Sequence, residues 1–201
     1  KVTDENVPFD VLGPKNVSPL AMANAYATVA SGGMYCTPRA IDRVVGPDGQ
    51  ERELPASSCT EGVISPEVAA TAAFALQSVM GGGGTGSRAN TNDGTPLIGK
   101  TGTHDTWSTM MIESSTKVAT AVWAGRWQGQ ENIYRKRANG WNLNDMRYPV
   151  AQAAQAAANA AYPGSAFPKP DGKLTRQQLA TVPRVVGKSV EEATAILTDA
   201  G

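Results

Sequence analysis

Two cysteines, Cys36 and Cys59, and a single histidine, His104, are too few to assemble a zinc site, which takes about four nitrogen or sulfur ligands. No metal and no cofactor are expected. Charge of either sign is missing as an excess: 18 Lys and Arg balance 18 Asp and Glu. A nucleic-acid or other polyanion partner is therefore not indicated. No apolar run approaches the roughly 20 residues that cross a bilayer, and no secretory leader is present. The chain opens at Lys1 in mid-pattern, so a piece of a longer protein is expected, attached to a membrane only through an anchor before Lys1. The 201 residues suffice for one medium domain with its own core plus an appendage.

The scarce cysteines are informative by placement. Between them lie Thr37 to Val45, the turn Pro47-Asp48-Gly49, and Gln50 to Leu54, and both are equidistant from the point between Pro47 and Asp48. Arms that pair as a hairpin with little slippage set the cysteines opposite each other, which permits a disulfide and suits an oxidising compartment. The alternative is two buried free thiols.

Lys1 to Lys15, with Pro8 and Pro14, is read as loop. Ser18-Pro19 opens a helix closed by Gly32-Gly33, with Leu20, Ala23, Ala27 and Ala30 on an inward face. Ser65-Pro66 opens a second, running to Met80, with Val68, Ala72, Leu76 and Val79 on one stripe; Gly81 to Gly84 stop it. Trp107–Ile112 and Val118–Ala124 are expected as strands around a turn at Glu113–Lys117. Gly125 to Arg147 is read as a surface insertion, and Val150 to Ala161 as a helix. Ser165 to Gln178 has linker composition. From Val182 the pattern is strand, turn and a helix capped by Ser189, with Ala193, Ile196 and Leu197 inward.

The centre of the chain is Leu97-Ile98-Gly99-Lys100-Thr101-Gly102-Thr103. In an extended segment Ile98, Lys100 and Gly102 share one side, and Leu97, Gly99, Thr101 and Thr103 the other. A cation, two hydroxyls and free edge amides suit a carboxylate ligand, and the glycines let another backbone approach.

This Lys-Thr-Gly run resembles that of the transpeptidase domain of penicillin-binding proteins, where it edges the active site. Val17 to Gly33 resembles the helix and glycine turn before that motif, and Gly84-Thr85-Gly86 its lead-in loop. Ala119 to Gly125 resembles the following strand, in a Val-Trp-x-Gly form similar to class A, bifunctional members; together these stretches cover Val7 to Tyr162. The resemblance implies an α+β fold, an antiparallel sheet with helices on both faces. It implies residues 1–164 as the C-terminal part of a transpeptidase domain, 165–181 as linker, and 182–201 as the start of a PASTA module, a small extracytoplasmic unit. It further implies peptidoglycan cross-linking by serine acyl transfer on D-Ala-D-Ala stem peptides, inhibited by β-lactams, beside an upstream glycosyltransferase. Lys100 would hold a positive field, and Thr101 and Thr103 would donate to the ligand's carboxylate. The Thr103 amide beside Gly102 would serve the oxyanion, and His104 would contact substrate.

The family's nucleophile lies before its Lys-Thr-Gly strand. Ser114-Ser115-Thr116-Lys117 is the one Ser-x-x-Lys match, follows that strand and falls in an expected turn, so it is dismissed as catalytic. Ser-x-Asn does not occur. The nucleophilic half of the domain is therefore expected upstream of Lys1. Two alternatives stand beside this reading: a non-catalytic wall-binding or sensing protein that keeps the strand, and a D,D-carboxypeptidase that uses water as acceptor.

Overall fold

The computed structural model describes residues 16–54, 56–126, 128–176 and 182–200. The segment Lys1 to Lys15, Trp127 and residues 177–181 of the expected linker lie outside the described residues. The chain divides into two compact units, Lys1–Asp171 and Gly172–Gly201. The first runs past the boundary expected at 164 because the backbone beyond it is tied down. Ser165 N donates to Thr116 Oγ1 at 2.8 Å, and Asp171 N donates to Thr71 Oγ1 at 3.1 Å.

Helix α1 spans Pro19–Ala30, with Ser18 Oγ accepting from Ala21 N at 3.2 Å; α2 spans Pro66–Met80, with Ser65 Oγ accepting from Val68 N at 3.3 Å. In both, a serine satisfies a free N–H of the first turn and a proline occupies a position whose N–H has no partner anyway. The buried faces differ from expectation. Leu20 of α1 and Val68 of α2 are exposed, while Ala69, Ala70, Ala73 and Met80 are the buried residues of α2. In an alanine-rich helix, the face that allows closest approach is the one with the smallest side chains.

Strands β1 (Tyr35–Cys36) and β2 (Cys59–Thr60) pair antiparallel with Cys36 opposite Cys59, which a disulfide joins at a Cα separation of 4.0 Å. Nearer the turn, Val45 faces Glu51. The two pairings differ by one residue of register, which the irregular arms absorb.

The main sheet has the order β3 (Ile98–His104), β4 (Ser108–Ser114), β5 (Ala119–Gly125), antiparallel throughout. β4 continues through Glu113 and Ser114, two residues further than expected, and the turn is the tighter 115–118, closed by Ser115 N donating to Val118 O at 3.0 Å. On one face Met111 joins Met80, Ala89, Leu97, Tyr148 and Ala151 in the core, with Val122 packed against it. Helix α3 (Arg147–Ala161) covers that face. Helix α1 lies with Ser114 and Ala119 on the opposite face, since successive residues of a strand alternate sides. The sheet thus carries helices on both faces, a mixed α/β architecture.

The interior under α3 is partly polar. Gln155 is fully buried; its amide accepts from Thr120 Oγ1 at 2.8 Å and donates to Val118 O at 3.2 Å and Asn159 Oδ1 at 3.0 Å. Asn159 donates in turn to Asp93 Oδ2 at 2.9 Å, and this bond is the main cause holding the Asp93 carboxyl down to about 2. Each buried amide group finds a partner, as burial requires.

The expected surface insertion is more structured than its composition suggests. Strands β6 (Arg137–Ala138) and β7 (Trp141–Asn142) form a small ribbon, Ile133 is buried, and Ile133 N donates to Thr106 O at 2.8 Å. In the second unit, α4 (Val190–Asp199) starts with a reciprocal capping box between Ser189 and Glu192. Residues 182–185 form no strand, and among α4's intended inward residues Ala193 and Ile196 are half-buried while Leu197 is exposed.

Candidate active-site edge

β3 is the outer strand of its sheet, so one edge of its backbone carries no neighbouring strand among the described residues. Its first residues, Ile98 and Gly99, are buried; Lys100, Thr103 and His104 are exposed, and Thr101 and Gly102 half-buried. The strand is therefore anchored at its start and presented to solvent along its motif.

The two motif glycines have different reasons. A Cβ at Gly99 would run into Met80 Sδ and come within 2.9 Å of Ile112 O, so this glycine lets α2 close onto the strand. At Gly102 an added Cβ would meet only Met110 Cβ, at an ordinary 3.6 Å. The fold leaves room there, and a bare position at an open edge keeps the backbone approachable.

Each expected site residue has a definite place. Lys100 Nζ donates to Thr101 O at 2.8 Å, so the ammonium lies over the strand it belongs to. Thr101 Oγ1 donates to Thr85 Oγ1 at 3.0 Å, which ties the Gly84-Thr85-Gly86 loop to the strand and leaves Thr85 with its own proton. Gly102 O and Thr103 Oγ1 both accept from one guanidinium nitrogen, Arg147 Nη1, at 2.7 and 3.0 Å. His104 stands at the strand's end, edge-on to the Trp107 ring with centroids 5.5 Å apart, and its Nε2 is 3.9 Å from Asp105 Oδ2. Asp105 takes up φ 46°, a left-handed conformation that fits the tight turn into β4.

Two of these partners were not singled out from the sequence. In the sequence Thr85 stands out only as part of the Gly84-Thr85-Gly86 loop. Arg147 ends the stretch that reads as a surface insertion, yet it is 8% exposed and is the first residue of α3. Its Nη2 donates to Tyr148 Oη at 2.8 Å, and its guanidinium lies 4.7 Å from the centre of the Tyr148 ring. Arg88 stacks on the same ring at 4.5 Å and pairs with Asp145 at 2.9 Å. The edge therefore combines a lysine ammonium, three threonine hydroxyls and a buried arginine. That set suits an extended ligand ending in a carboxylate.

The Ser114–Lys117 match is built into the turn. Ser114 is fully buried and its hydroxyl donates to Ser115 O at 2.7 Å; Ser115 Oγ accepts from Lys117 N and Val118 N at 3.2 Å each. Lys117 is exposed. The hydroxyl and the ammonium do not meet as a nucleophile and base must.

Residues 11–134 match the family model described as penicillin binding protein transpeptidase domain. The chain is 30% identical over 169 residues to Penicillin-binding protein 1A of Mycolicibacterium smegmatis, covering 80% of this chain and 21% of that protein. It is 28% identical over 170 residues to Penicillin-binding protein 1A of Mycobacterium tuberculosis, covering 80% and 20%. The chain thus spans about a fifth of the length of these curated relatives. Among solved structures it resembles the penicillin-binding protein PonA1 from Mycobacterium tuberculosis, with TM-score 0.68 and 25% identity over 81% of this chain and 43% of that one. A second structure of PonA1, in complex with penicillin V, gives TM-score 0.64 and 24% identity with the same coverage.

Proposed function

Because the chain belongs to the penicillin-binding protein transpeptidase family, we propose that it is the substrate-edge part of a serine D,D-transpeptidase domain that cross-links peptidoglycan stem peptides. A serine supplied by a part of the protein outside this sequence would attack the carbonyl between the two D-alanines of a stem peptide. The terminal D-alanine leaves, and an amine of a neighbouring stem displaces the serine from the acyl-enzyme. β-Lactams are trapped at the same serine. The protein would act at the extracytoplasmic face of the bacterial membrane, with a glycosyltransferase domain upstream and residues 182–201 opening a PASTA module.

One observation carries this reading: the Lys100–His104 run lies exposed or half-buried along a strand edge with no neighbouring strand among the described residues, with hydroxyl and cationic groups gathered on it. An extended peptide laid against that edge would leave its terminal carboxylate to Thr103 or Thr85, whose hydroxyl protons are not spent within the edge, under the positive field of Lys100. The Thr103 N–H would be one oxyanion donor and the serine's own amide the other. Such a donor is worth about 10²–10³ in rate.

The test is the full-length protein with fluorescent penicillin and with stem peptides, in the presence and absence of an amine acceptor. Covalent labelling with cross-linked product supports transpeptidation. Release of D-alanine with no cross-linking would make it a carboxypeptidase, and no labelling at all would favour a wall-binding protein. The chain 1–201 alone should take up no label; label mapped to Ser114 would overturn the dismissal of that serine.

A further inference from the structure

Arg147 is costly where it stands. It is a cation in the first turn of α3, at the positive end of the helix dipole, with no acidic residue in that turn and no side-chain cap. It is nearly buried, and its Nε finds no acceptor among the described residues. A helix start is better served by Asp, Ser or Thr. What the position secures is the pair of hydrogen bonds from Nη1 to Gly102 O and Thr103 Oγ1.

An arginine only donates, whereas a threonine hydroxyl carries one proton and accepts through its lone pairs. Facing Arg147, Thr103 Oγ1 must accept, so its proton is turned to whatever lies on the other side. A carboxylate only accepts. We propose that Arg147 is a positioning residue for carboxylate recognition, one that commits the Thr103 hydroxyl to donate to the terminal carboxylate of a bound peptide or β-lactam. The inference rests on the transpeptidase reading given above.

The surroundings fix the guanidinium in this task. Tyr148 Oη receives Nη2, the Tyr148 ring lies under the guanidinium, and Arg88 on the same ring is itself held by Asp145. Arg88 also lies just beyond the loop whose Thr85 binds Thr101. The α3 start, the lead-in loop and the motif strand therefore share one set of contacts. Selectivity follows from the hydroxyl's direction. A ligand with a carboxylate gains the Thr103 hydrogen bond, and an ester, a weaker uncharged acceptor, gains much less.

The experiment uses the full-length protein, a penicillin and its methyl ester, with second-order acylation rates for both. The ratio of the two rates is the readout, because a mere loss of packing slows both probes alike. For Arg147→Gln the ratio should fall by about tenfold or more, the range for losing a hydrogen bond to a charged group. Arg147→Lys, which keeps the charge and a single donor nitrogen, should recover part of it. Should the Arg147 variants fail to fold, Tyr148→Phe carries the test: it keeps the ring, frees Nη2 and should lower the ratio in the same direction. A Thr103→Val, Arg147→Gln double variant should lose no more selectivity than Thr103→Val alone. A wild-type protein that neither probe acylates would defeat the transpeptidase reading itself. Acylation by both probes with the ratio unchanged in Arg147→Gln, or in Tyr148→Phe where only that variant folds, would overturn the role of Arg147 alone.

Discussion

Glu113 gives the sharpest test of the packing. It is fully buried in the middle strand, opposite Gly99 on one side and Thr120 on the other, and neither carboxylate oxygen has a hydrogen-bond partner among the described residues. Burial pushes its carboxyl from the ordinary 4.5 up to about 8. At neutral pH the native protein therefore holds a proton that the unfolded chain has released. Stability from this group is complete below about pH 4.5, falls as pH rises, and is lost by about pH 8. At roughly 1.4 kcal/mol per pH unit the whole loss is of order 5 kcal/mol, comparable with the entire stability of a marginal domain. Glu113→Gln keeps the shape and cannot ionise, but it buries an amide with donors that lack acceptors, at about 1–3 kcal/mol. The two stability curves should cross: wild type ahead at about pH 5, the variant ahead by several kcal/mol at about pH 9. Urea denaturation across that range measures both curves, and other titrating groups cancel in the difference. Parallel curves would refute the reasoning, since Glu113 would then be ionised and solvated or paired in the native state.

In acylation by a carboxylate-bearing β-lactam, Thr103→Ala should cost roughly 1–3 kcal/mol by removing a hydrogen bond to a charge, while leaving the Thr103 amide in place. Lys100→Ala should cost more, and equal losses measured from acylation rates would mean the two roles cannot be separated. Gly99→Ala should lower the melting temperature because the added methyl meets Met80 and Ile112, whereas Gly102→Ala should melt like wild type and acylate more slowly. Cys36→Ser should destabilise by about 3 kcal/mol on the loop-entropy estimate, read from denaturation with and without reductant.

What the sequence made legible was local chemistry. Ser18-Pro19 and Ser65-Pro66 mark helix starts because the capping serine and the proline act within one turn. The β4–β5 pair follows from two short strand-like runs on either side of the polar turn Glu113–Lys117, and the cysteine hairpin from its central turn. Helix faces were harder. Val68 and Leu20 are the larger apolar groups, yet the tightest contacts of α2 are made by alanines and by Met80, which depends on a glycine in another element, Gly99. Glu113 opens the polar run that reads as a turn, Glu113–Lys117, although β4 continues through it to Ser114. Arg147 bonds to residues 44 and 45 positions away, and no local pattern reports that. One clue was available, a lone arginine just ahead of an alanine-glutamine helix, where the dipole disfavours it.

The open edge of β3 has a consequence for the protein's behaviour in solution. Alternate residues along the outer strand turn backbone groups away from β4, where an extended segment, including another copy of the same strand, could reach them. Lys100 stands near the middle of that edge as an exposed charge, the kind of residue that keeps strands from docking edge to edge. On the proposed reading, the lysine that would serve the ligand would also help keep the strand from self-association. Lys100→Ala would then do double harm, slowing acylation and raising the tendency to aggregate, and a ligand seated along the strand would suppress the second effect.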